Sequence, residues 1–263
     1  MKTLMLMIKK SAVYLISYIR YIVEYRNFKK QAEEETRRFP LLWKDRYPIL
    51  SDKTATTDFD RHYIYHTAWA ARILAEFRPI CHVDISSALQ FSTIVSAFIP
   101  VDFYDYRPAD IELNNFTAGH VDLQALPFPT DSITSLSCMH VVEHVGLGRY
   151  GDPLDPAGDL KAIVELKRVL AVDGTLLFVV PIGKARVMFN AHRVYSFGQI
   201  LEYFSDLALE EFTLIPDNPV CGGLIRYSSQ ELADAQSYGC GCFRFKKNAS
   251  RQVFKGESPC FSG

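Results

Sequence analysis

Short apolar segments alternate with helical segments between residues 80 and 217, and this alternation constrains the fold more than any other feature of the chain. Four of the apolar segments have the length and composition of β-strands: residues 80–86, 99–106, 133–141 and 175–183. Residues 156–170 have the periodicity of an amphipathic helix, and Asp173 and Gly174 follow it as a stop signal. Such alternation predicts a doubly wound α/β fold with a mainly parallel sheet.

Polar side chains fall at or just after the ends of the predicted strands. The set consists of Asp84, Ser86, Asp105, Asp122, His140 and Glu143. In doubly wound sheets, ligands bind beyond the carboxyl ends of the parallel strands. The sequence therefore predicts that one edge of the sheet carries a functional site.

The composition excludes several classes of protein. The formal net charge is −1, whereas a nucleic-acid-binding surface is normally basic, so no nucleic-acid partner is predicted. The six cysteines have no paired spacing, which favours reduced thiols in a cytoplasmic protein over a disulfide framework. The close pair Cys240 and Cys242 is interpreted as part of a buried strand, because it lacks the second half of a zinc site.

The first 30 residues are basic and rich in apolar side chains. Seven Lys and Arg residues stand against one acid, Glu24, which gives the segment a net charge of +6. Its longest charge-free run, residues 11–19, is too short for a bilayer, which requires about 20 apolar residues. As a helix, the segment has a polar stripe through Arg20 and an apolar face through Ile16.

Two interpretations of this helix are open. It lies in the interface of an anionic membrane, or it packs on the core or on a partner chain. The basic excess favours the first. The predicted location is therefore cytoplasmic, with peripheral contact through residues 1–30 at the inner face of the membrane. No oligomeric state is predicted.

Residues 140–144 read H-x-x-E-H, the spacing found in one group of zinc peptidases. That motif requires a helix, so that both histidines share one face. Here the preceding residues favour a strand, and Gly146 and Gly148 end any helix that follows. No metal site is predicted from this motif.

Two long segments carry a resemblance to a known family. They read GHVDLQALPFPTDSITSLSCMHVVEHV at residues 119–145 and DLKAIVELKRVLAVDGTLLFVVPIG at residues 159–183. Their order resembles the central part of class I S-adenosylmethionine-dependent methyltransferases, over roughly residues 80–215. The sequence of residues 140–156 and 189–196 is similar to an uncharacterised branch of that superfamily, a domain of unknown function.

The resemblance implies a Rossmann-like, doubly wound sheet of seven strands, with S-adenosyl-L-methionine as the cofactor. The chain is expected to divide into an amphipathic basic N-terminal helix, a loop with a lid-like helix, a methyltransferase-like domain and a flexible tail, at residues 1–36, 37–78, 79–250 and 251–263. The helix around residues 59–74 either closes over the cofactor or packs an aromatic face on the sheet.

The resemblance also assigns cofactor-binding positions. Asp84 matches the acid that faces the methionine part of the cofactor, and Asp105 matches the acid that binds the ribose hydroxyls. Asp122 and the backbone of Leu123 match the pair that binds adenine, and Met139 lies near the sulfonium. The glycine-rich turn of the family is replaced by Ser86, Ser87 and Ala88, whose hydroxyls are expected to supply hydrogen bonds.

The remaining candidates concern the methyl acceptor. His192 and His140 are the predicted general bases, since imidazole titrates near neutral pH. The predicted acceptor-side residues are Tyr150, Asp152, Asp155, Asn190 and Arg193, with an ion pair between Arg193 and Asp152 or Asp155 as the structural alternative. The predicted function is methyl transfer to a polar small-molecule or glycan-type acceptor. The alternative is a non-catalytic binding or assembly module that keeps the fold.

Overall fold

A computed structural model describes residues 2–34 and 39–249, with the side chains of the first segment described from residue 11 to residue 32. The chain forms two compact units, which meet in sequence at Phe59 and Asp60. The predicted boundaries at residues 36 and 78 stay predictions. The predicted tail, residues 251–263, lies outside the described residues.

The first unit contains one long helix, α1 (Lys2–Glu34), and a 3₁₀ turn at Trp43–Asp45. The rings of Tyr25 and Trp43 pack edge to face, 4.8 Å apart, and Glu24 pairs with Lys53. No helix among the described residues is long and apolar enough to cross a membrane. Side chains of the predicted apolar face are exposed, as at Ile16 and Ile19.

The second unit alternates helices and strands, as predicted. The helices are α2 (Arg61–Phe77), α3 (Leu89–Val95), α4 (Gly158–Val169), α5 (Phe197–Tyr203) and α6 (Gln230–Asp234). The strands are β1 (His82–Ile85), β2 (Val101–Asp105), β3 (Phe116–His120), β4 (Ile133–Met139), β5 (Leu170–Ile182), β6 (Arg186–Met188), β7 (His192–Val194), β8 (Ala208–Ile215), β9 (Ile225–Arg226) and β10 (Gly239–Lys246).

The strands of the main sheet have the order β3-β2-β1-β4-β5-β10-β8-β9. The first five are parallel, and β10 runs antiparallel between β5 and β8. This order confirms the predicted doubly wound, Rossmann-like sheet. The predicted strand number was wrong, because within the described residues the sheet has eight strands. The eighth is the two-residue β9, which pairs with the edge of β8.

The central strand β5 divides the core between the two faces of the sheet. Phe178 and Val180 pack on one side with residues of α4 and α5, and Leu177 and Val179 pack on the other with residues of α2 and α3. All four side chains are 0–1% exposed, so both faces of the strand are covered. This explains the uniformly apolar sequence of β5.

Helix α2 follows the N-cap Asp60, whose carboxylate accepts a hydrogen bond from the Tyr63 amide. The Trp69 indole is buried and donates to Glu211 of β8 over 2.9 Å. An aromatic side chain of this helix thus packs on the sheet, while its expected closure over the cofactor stays a prediction. Its first turn reaches the carboxyl edge of the sheet, since the ring of His62 stacks on His140 after β4.

The loop between β4 and α4 is shaped by glycine and by one aspartate. Gly146 and Gly148 have φ values of +76° and +71°. Asp152 accepts hydrogen bonds from the amides of Gly146 and Tyr150, over 2.8 and 3.1 Å. The backbone of Asp155 closes the loop, because its amide donates to the Gly146 carbonyl over 2.9 Å.

We predict that Gly146→Ala destabilises the protein by about 2 kcal/mol. A Cβ at this position would lie 2.1 Å from the Asp155 carbonyl oxygen, and its φ is unfavourable for alanine. Chemical denaturation measures the free energy of unfolding. Gly198→Ala is the matched control, since a Cβ there meets nothing within 4 Å, and its effect should stay below about 1 kcal/mol. Equal effects of the two substitutions would contradict this account of the loop.

Candidate functional site

A cleft opens at the carboxyl edge of the parallel strands. Its walls come from the segments that follow β1, β2, β3 and β4, together with the loop before α4. It is therefore placed where doubly wound sheets bind their ligands. Seven of the predicted site residues line it: Ser86, Asp105, Asp122, Leu123, His140, Tyr150 and Asp152.

Ser86 adopts the left-handed backbone conformation, with φ of +57°. This conformation favours glycine, the residue that the family resemblance places here. The Ser86 amide donates to the carbonyl of Tyr104 over 2.7 Å, and its hydroxyl donates to the same oxygen over 3.2 Å. These two hydrogen bonds offset the conformational free-energy cost of a serine with positive φ. The turn therefore keeps its tight conformation at the cleft without glycine.

Asp84 lies behind this turn and does not line the cleft. Its carboxylate is fully buried and accepts hydrogen bonds from Ser137, over 2.6 Å, and from Ser92. Ser87 also donates to it. Serines of β4, α3 and the turn occupy its oxygens, and the assignment of Asp84 to the methionine part of the cofactor stays a prediction. Burial raises the pKa of Asp84 to about 6, and the serine hydrogen bonds act against that rise.

His82 extends this buried network and was missed from the sequence. Its Nε2 lies 2.9 Å from the Ser137 hydroxyl, and its Nδ1 lies 2.8 Å from Ser135. Because Ser137 donates to Asp84, it accepts from His82 Nε2, and the other ring nitrogen accepts from Ser135. Burial lowers the pKa of His82 to about 3, so the ring is neutral and joins β1 to β4. The sequence contained one sign of this network, because Ser135 and Ser137 alternate with apolar residues and so point to the same face of a buried strand.

Ser87 and Met139 also lie behind the cleft wall. The Met139 amide donates to the Ser87 hydroxyl over 3.1 Å, and both residues are buried. They connect the turn after β1 to the end of β4. Neither lines the cleft, so their contribution is to its shape.

Asp105 is the last residue of β2, and Asp122 follows the end of β3 in the cleft wall. Asp105 Oδ1 accepts from the Arg107 amide over 2.7 Å, and Asp122 Oδ1 accepts from the Gln124 amide over 2.9 Å. Among the residues that the structure describes, neither Oδ2 atom has a hydrogen-bond partner. Each carboxylate is therefore oriented by one oxygen and can accept a ligand hydrogen bond with the other.

His140 closes the fourth strand segment in an unusual backbone conformation, with φ of +58°. Its Nδ1 pairs with Oε1 of Glu143 over 2.8 Å, and Glu143 is 1% exposed. Burial lowers the pKa of His140 to about 4, so its ring is neutral near pH 7, and burial raises the pKa of Glu143 to about 7. His144 Nδ1 donates to the Ala191 carbonyl over 2.6 Å, and its Nε2 lies 3.8 Å from Oε1 of Glu143.

Aromatic and imidazole rings gather beside the cleft around His140. The rings of His62 and His66 lie 5.3 and 5.1 Å from His140, and Tyr238 lies 5.0 Å from His62 and 4.9 Å from His192. We call these residues the imidazole cluster. Burial lowers the pKa of His62 to about 4 and lowers that of His192 as well. The sequence showed His62 and His66 on a helix, but not that this helix brings them to the site.

His192 contributes a free ring nitrogen at the side of the cleft. Its Nε2 is buried and has no hydrogen-bond partner within the described part of the chain. His192 does not line the cleft itself. It joins the site through its ring contacts with Tyr238 and with His144, whose ring centre lies 6.3 Å away.

The predicted acceptor-side residues separate into two groups. Tyr150 lines the cleft, with the guanidinium of Arg107 4.7 Å from its ring centre, and Asp152 holds the loop as described above. Asp155 accepts from the Ala157 amide and from Lys161 outside the cleft. Asn190 lies in the turn between β6 and β7, with φ of +62°, and does not line the cleft.

Arg193 is buried, and its guanidinium connects the loop after β4 to α4. Its Nη1 donates to the Val145 carbonyl over 2.7 Å, and its Nε lies 3.4 Å from Asp159. These bonds occupy its guanidinium, and the acceptor-side assignment of Arg193 stays a prediction. The ion pair expected as the structural alternative does form, but its partner is Asp159 and not Asp152 or Asp155.

Comparisons with known proteins agree with this geometry. A family model described as Caenorhabditis protein of unknown function, DUF268, matches residues 84–205, slightly less than half of the chain. The structure is similar to that of the N-methyltransferase NodS from Bradyrhizobium japonicum in complex with S-adenosyl-L-homocysteine. The TM-score is 0.52 at 15% identity, over 73% of this chain and 90% of NodS. The chain has the class I methyltransferase fold.

The structure is also similar to that of the YcgJ protein from Bacillus subtilis, with a TM-score of 0.48 and 16% identity over 71% of this chain and 100% of YcgJ. No match was found among the curated proteins. At these identities the comparisons establish the fold alone. The methyltransferase fold accounts for the position of the cleft, at the carboxyl ends of β1 to β4.

The buried carboxylate of Asp84 predicts a pH dependence of stability. Its folded pKa is raised above the unfolded value, so it stabilises the fold below about pH 4, and this contribution is lost as the pH rises through about 6. Asp84→Asn cannot ionise. We therefore expect its free energy of unfolding, relative to that of the wild type, to rise by up to about 3 kcal/mol as the pH increases from about 4 to about 7. Urea unfolding across that range measures the difference.

Asp110→Asn is the control for this experiment, because Asp110 is exposed. Its difference from the wild type should stay constant with pH. A constant difference for Asp84→Asn as well would contradict a raised pKa at this carboxylate.

Proposed function

We propose that the protein is an S-adenosylmethionine-dependent methyltransferase and that the cleft binds the cofactor. The observation that supports this most is that two oriented carboxylates, Asp105 and Asp122, line the same cleft as the left-handed turn at Ser86. The methyltransferase fold places ligand binding at this edge.

The residues present fit the cofactor. The free oxygen of Asp105 is suited to the two ribose hydroxyls, and that of Asp122 to the adenine amino group. The backbone of Leu123, which also lines the cleft, is suited to the adenine ring. The small side chain of Ser86, with its hydroxyl turned to the Tyr104 carbonyl, leaves room for the methionine part.

When bound, S-adenosylmethionine supplies an activated methyl group, so the protein must align the acceptor and remove its proton. The imidazole cluster lies beside the cleft and is suited to the second task. His192 is the proposed base, because its buried Nε2 is unpartnered among the described residues and its lowered pKa keeps the ring neutral. His140 is less suited to this role, since Glu143 engages one of its ring nitrogens.

The proposed acceptor is a polar small molecule or a glycan-type compound with a hydroxyl or amine group. Tyr150 presents an aromatic ring to the cleft, with two guanidinium groups stacked near it, those of Arg107 and Arg149. Aromatic rings and fixed donors are the groups that bind sugars and other polar small molecules. NodS is an N-methyltransferase, and its activity is compatible with an amine acceptor for this fold.

Calorimetry with S-adenosyl-L-homocysteine tests this proposal. We predict saturable binding to the wild type, and binding at least about tenfold weaker for Asp105→Asn and for Asp122→Asn, because each loses a charge-assisted hydrogen bond. Asp110→Asn is the matched control, since Asp110 is an exposed aspartate outside the cleft, and it should bind as the wild type does. Absence of binding to the wild type would overturn the proposed enzyme and favour the non-catalytic module.

We further propose that α1 places the protein on an anionic membrane surface. Four apolar side chains of the predicted apolar face, those of Leu15, Ile16, Ile19 and Val23, are 49–59% exposed. The other side of the helix, through Ser17 and Glu24, is lined by residues 49–53 of the same unit. An exposed apolar face within a segment of charge +6 is the combination expected of an interfacial helix.

Sedimentation with vesicles tests the membrane proposal. We predict that the full chain sediments with vesicles of phosphatidylcholine and phosphatidylserine, and that Ile16→Ser with Ile19→Ser weakens binding by about tenfold or more. The chain that lacks residues 1–30 should stay in solution. The control is Ile80→Ser with Ile94→Ser, two exposed isoleucines of the second unit. Equal binding by both double variants would contradict a role for this face.

A further inference from the structure

Three potential metal ligands converge beside the cleft from three distant parts of the chain. His62 lies in the first turn of α2, His140 follows β4, and Cys240 lies in β10. We propose that these three residues form a binding site for a divalent transition-metal ion of the zinc type. This goes beyond the proposed methyl transfer, and none of the comparisons assigns it.

The spacing of the ligand atoms fits such an ion. One ring nitrogen from each histidine and the sulfur of Cys240 all lie within 4.8 Å of one another. His140 Nε2 lies 3.4 Å from Cys240 Sγ. Two ligands on a tetrahedral zinc ion are about 3.5 Å apart, given zinc–nitrogen and zinc–sulfur bonds of about 2.0 and 2.3 Å. Small side-chain movements would therefore bring all three atoms to bonding distance.

The rings are oriented as metal ligands are. His140 directs Nδ1 to the Glu143 carboxylate over 2.8 Å, which leaves Nε2 facing the sulfur. A histidine ligand normally engages its second nitrogen in this way with a carboxylate or a carbonyl. The His62 ring stacks on the ring of Tyr238, with the ring centres 5.0 Å apart, which places it against the same cluster. The left-handed backbone of His140 supplies the turn that points its ring towards Cys240.

Two buried polar atoms beside the three ligands have no hydrogen-bond partner among the described residues. His66 donates from Nδ1 to the His62 carbonyl over 2.6 Å, so its Nε2 carries the lone pair. That Nε2 atom is buried and has no partner among the described residues, and the same holds for Oε2 of Glu143. Buried polar atoms are nearly always bonded. A water molecule in the fourth coordination position, bonded by His66, would satisfy the first of them.

The ligand types select the metal. A cysteine sulfur with two imidazoles favours zinc and related transition ions over magnesium or calcium, which take oxygen ligands. Cys240 is fully buried and His140 is 8% exposed, so an ion there would be shielded from bulk solvent. His140 lines both the cleft and the metal site, which makes the two sites neighbours.

Metal titration of the full-length protein tests the proposal. We expect the chelator-treated wild type to bind one Zn²⁺ per chain in calorimetry, and to give a thiolate-to-metal charge-transfer band with Co²⁺. His62→Gln and Cys240→Ala should lose both signals. Cys138→Ala is the matched control, because Cys138 is a fully buried thiol that packs on the opposite face of the sheet. It should bind as the wild type does.

Glu143→Gln keeps all three ligands and tests the orientation of His140. We expect Zn²⁺ affinity to fall by about 10- to 100-fold, the usual effect of losing such a partner. Circular dichroism of each metal-free variant verifies that it is folded. The proposal is overturned if the wild type binds no Zn²⁺, or if folded Cys240→Ala binds it with unchanged stoichiometry and affinity.

Discussion

The buried carboxylate of Asp84 is the interaction on which the rest of the site depends. Hydrogen bonds from Ser92 and Ser137 connect the end of β1 to α3 and to β4. Ser87 joins the same carboxylate and also accepts the Met139 amide, so the turn after β1 is held from both sides. Because the turn is held, Ser86 can keep a left-handed backbone without glycine. The shape of the cleft follows from this arrangement.

The sheet then brings the chemistry together. Its parallel strands end at one edge, so the carboxylates of Asp105 and Asp122 share a cleft with His140 although they come from separate strands. The antiparallel strand β10 and the first turn of α2 add Cys240 and His62 beside it. The edge thus carries two neighbouring regions. One presents carboxylate oxygens that can accept hydrogen bonds, and the other presents the nitrogen and sulfur atoms of the proposed metal ligands. His140 belongs to both.

The fold and much of the cleft could be predicted, because both depend on local patterns. The apolar run of β5, the acid at the end of β2 and the acid after β3 are visible in single segments of sequence. The strand β9 was missed, since two residues carry no periodic pattern and pair only because β8 lies beside them. The contacts of Asp84 with Ser92 and Ser137 were not visible in the sequence, because they depend on packing between separate elements. The proximity of His140 and Cys240, 100 residues apart, depends on the whole sheet.

The central claim is that a turn without glycine still forms the cofactor cleft of a methyltransferase. A crystal structure of the protein grown with S-adenosyl-L-homocysteine tests it most directly. We predict electron density in the cleft, with the ribose hydroxyls at hydrogen-bond distance from Asp105, the adenine beside Asp122, and Ser86 still left-handed. Density for the ligand elsewhere, or an empty cleft in crystals grown at a saturating ligand concentration, would contradict the account.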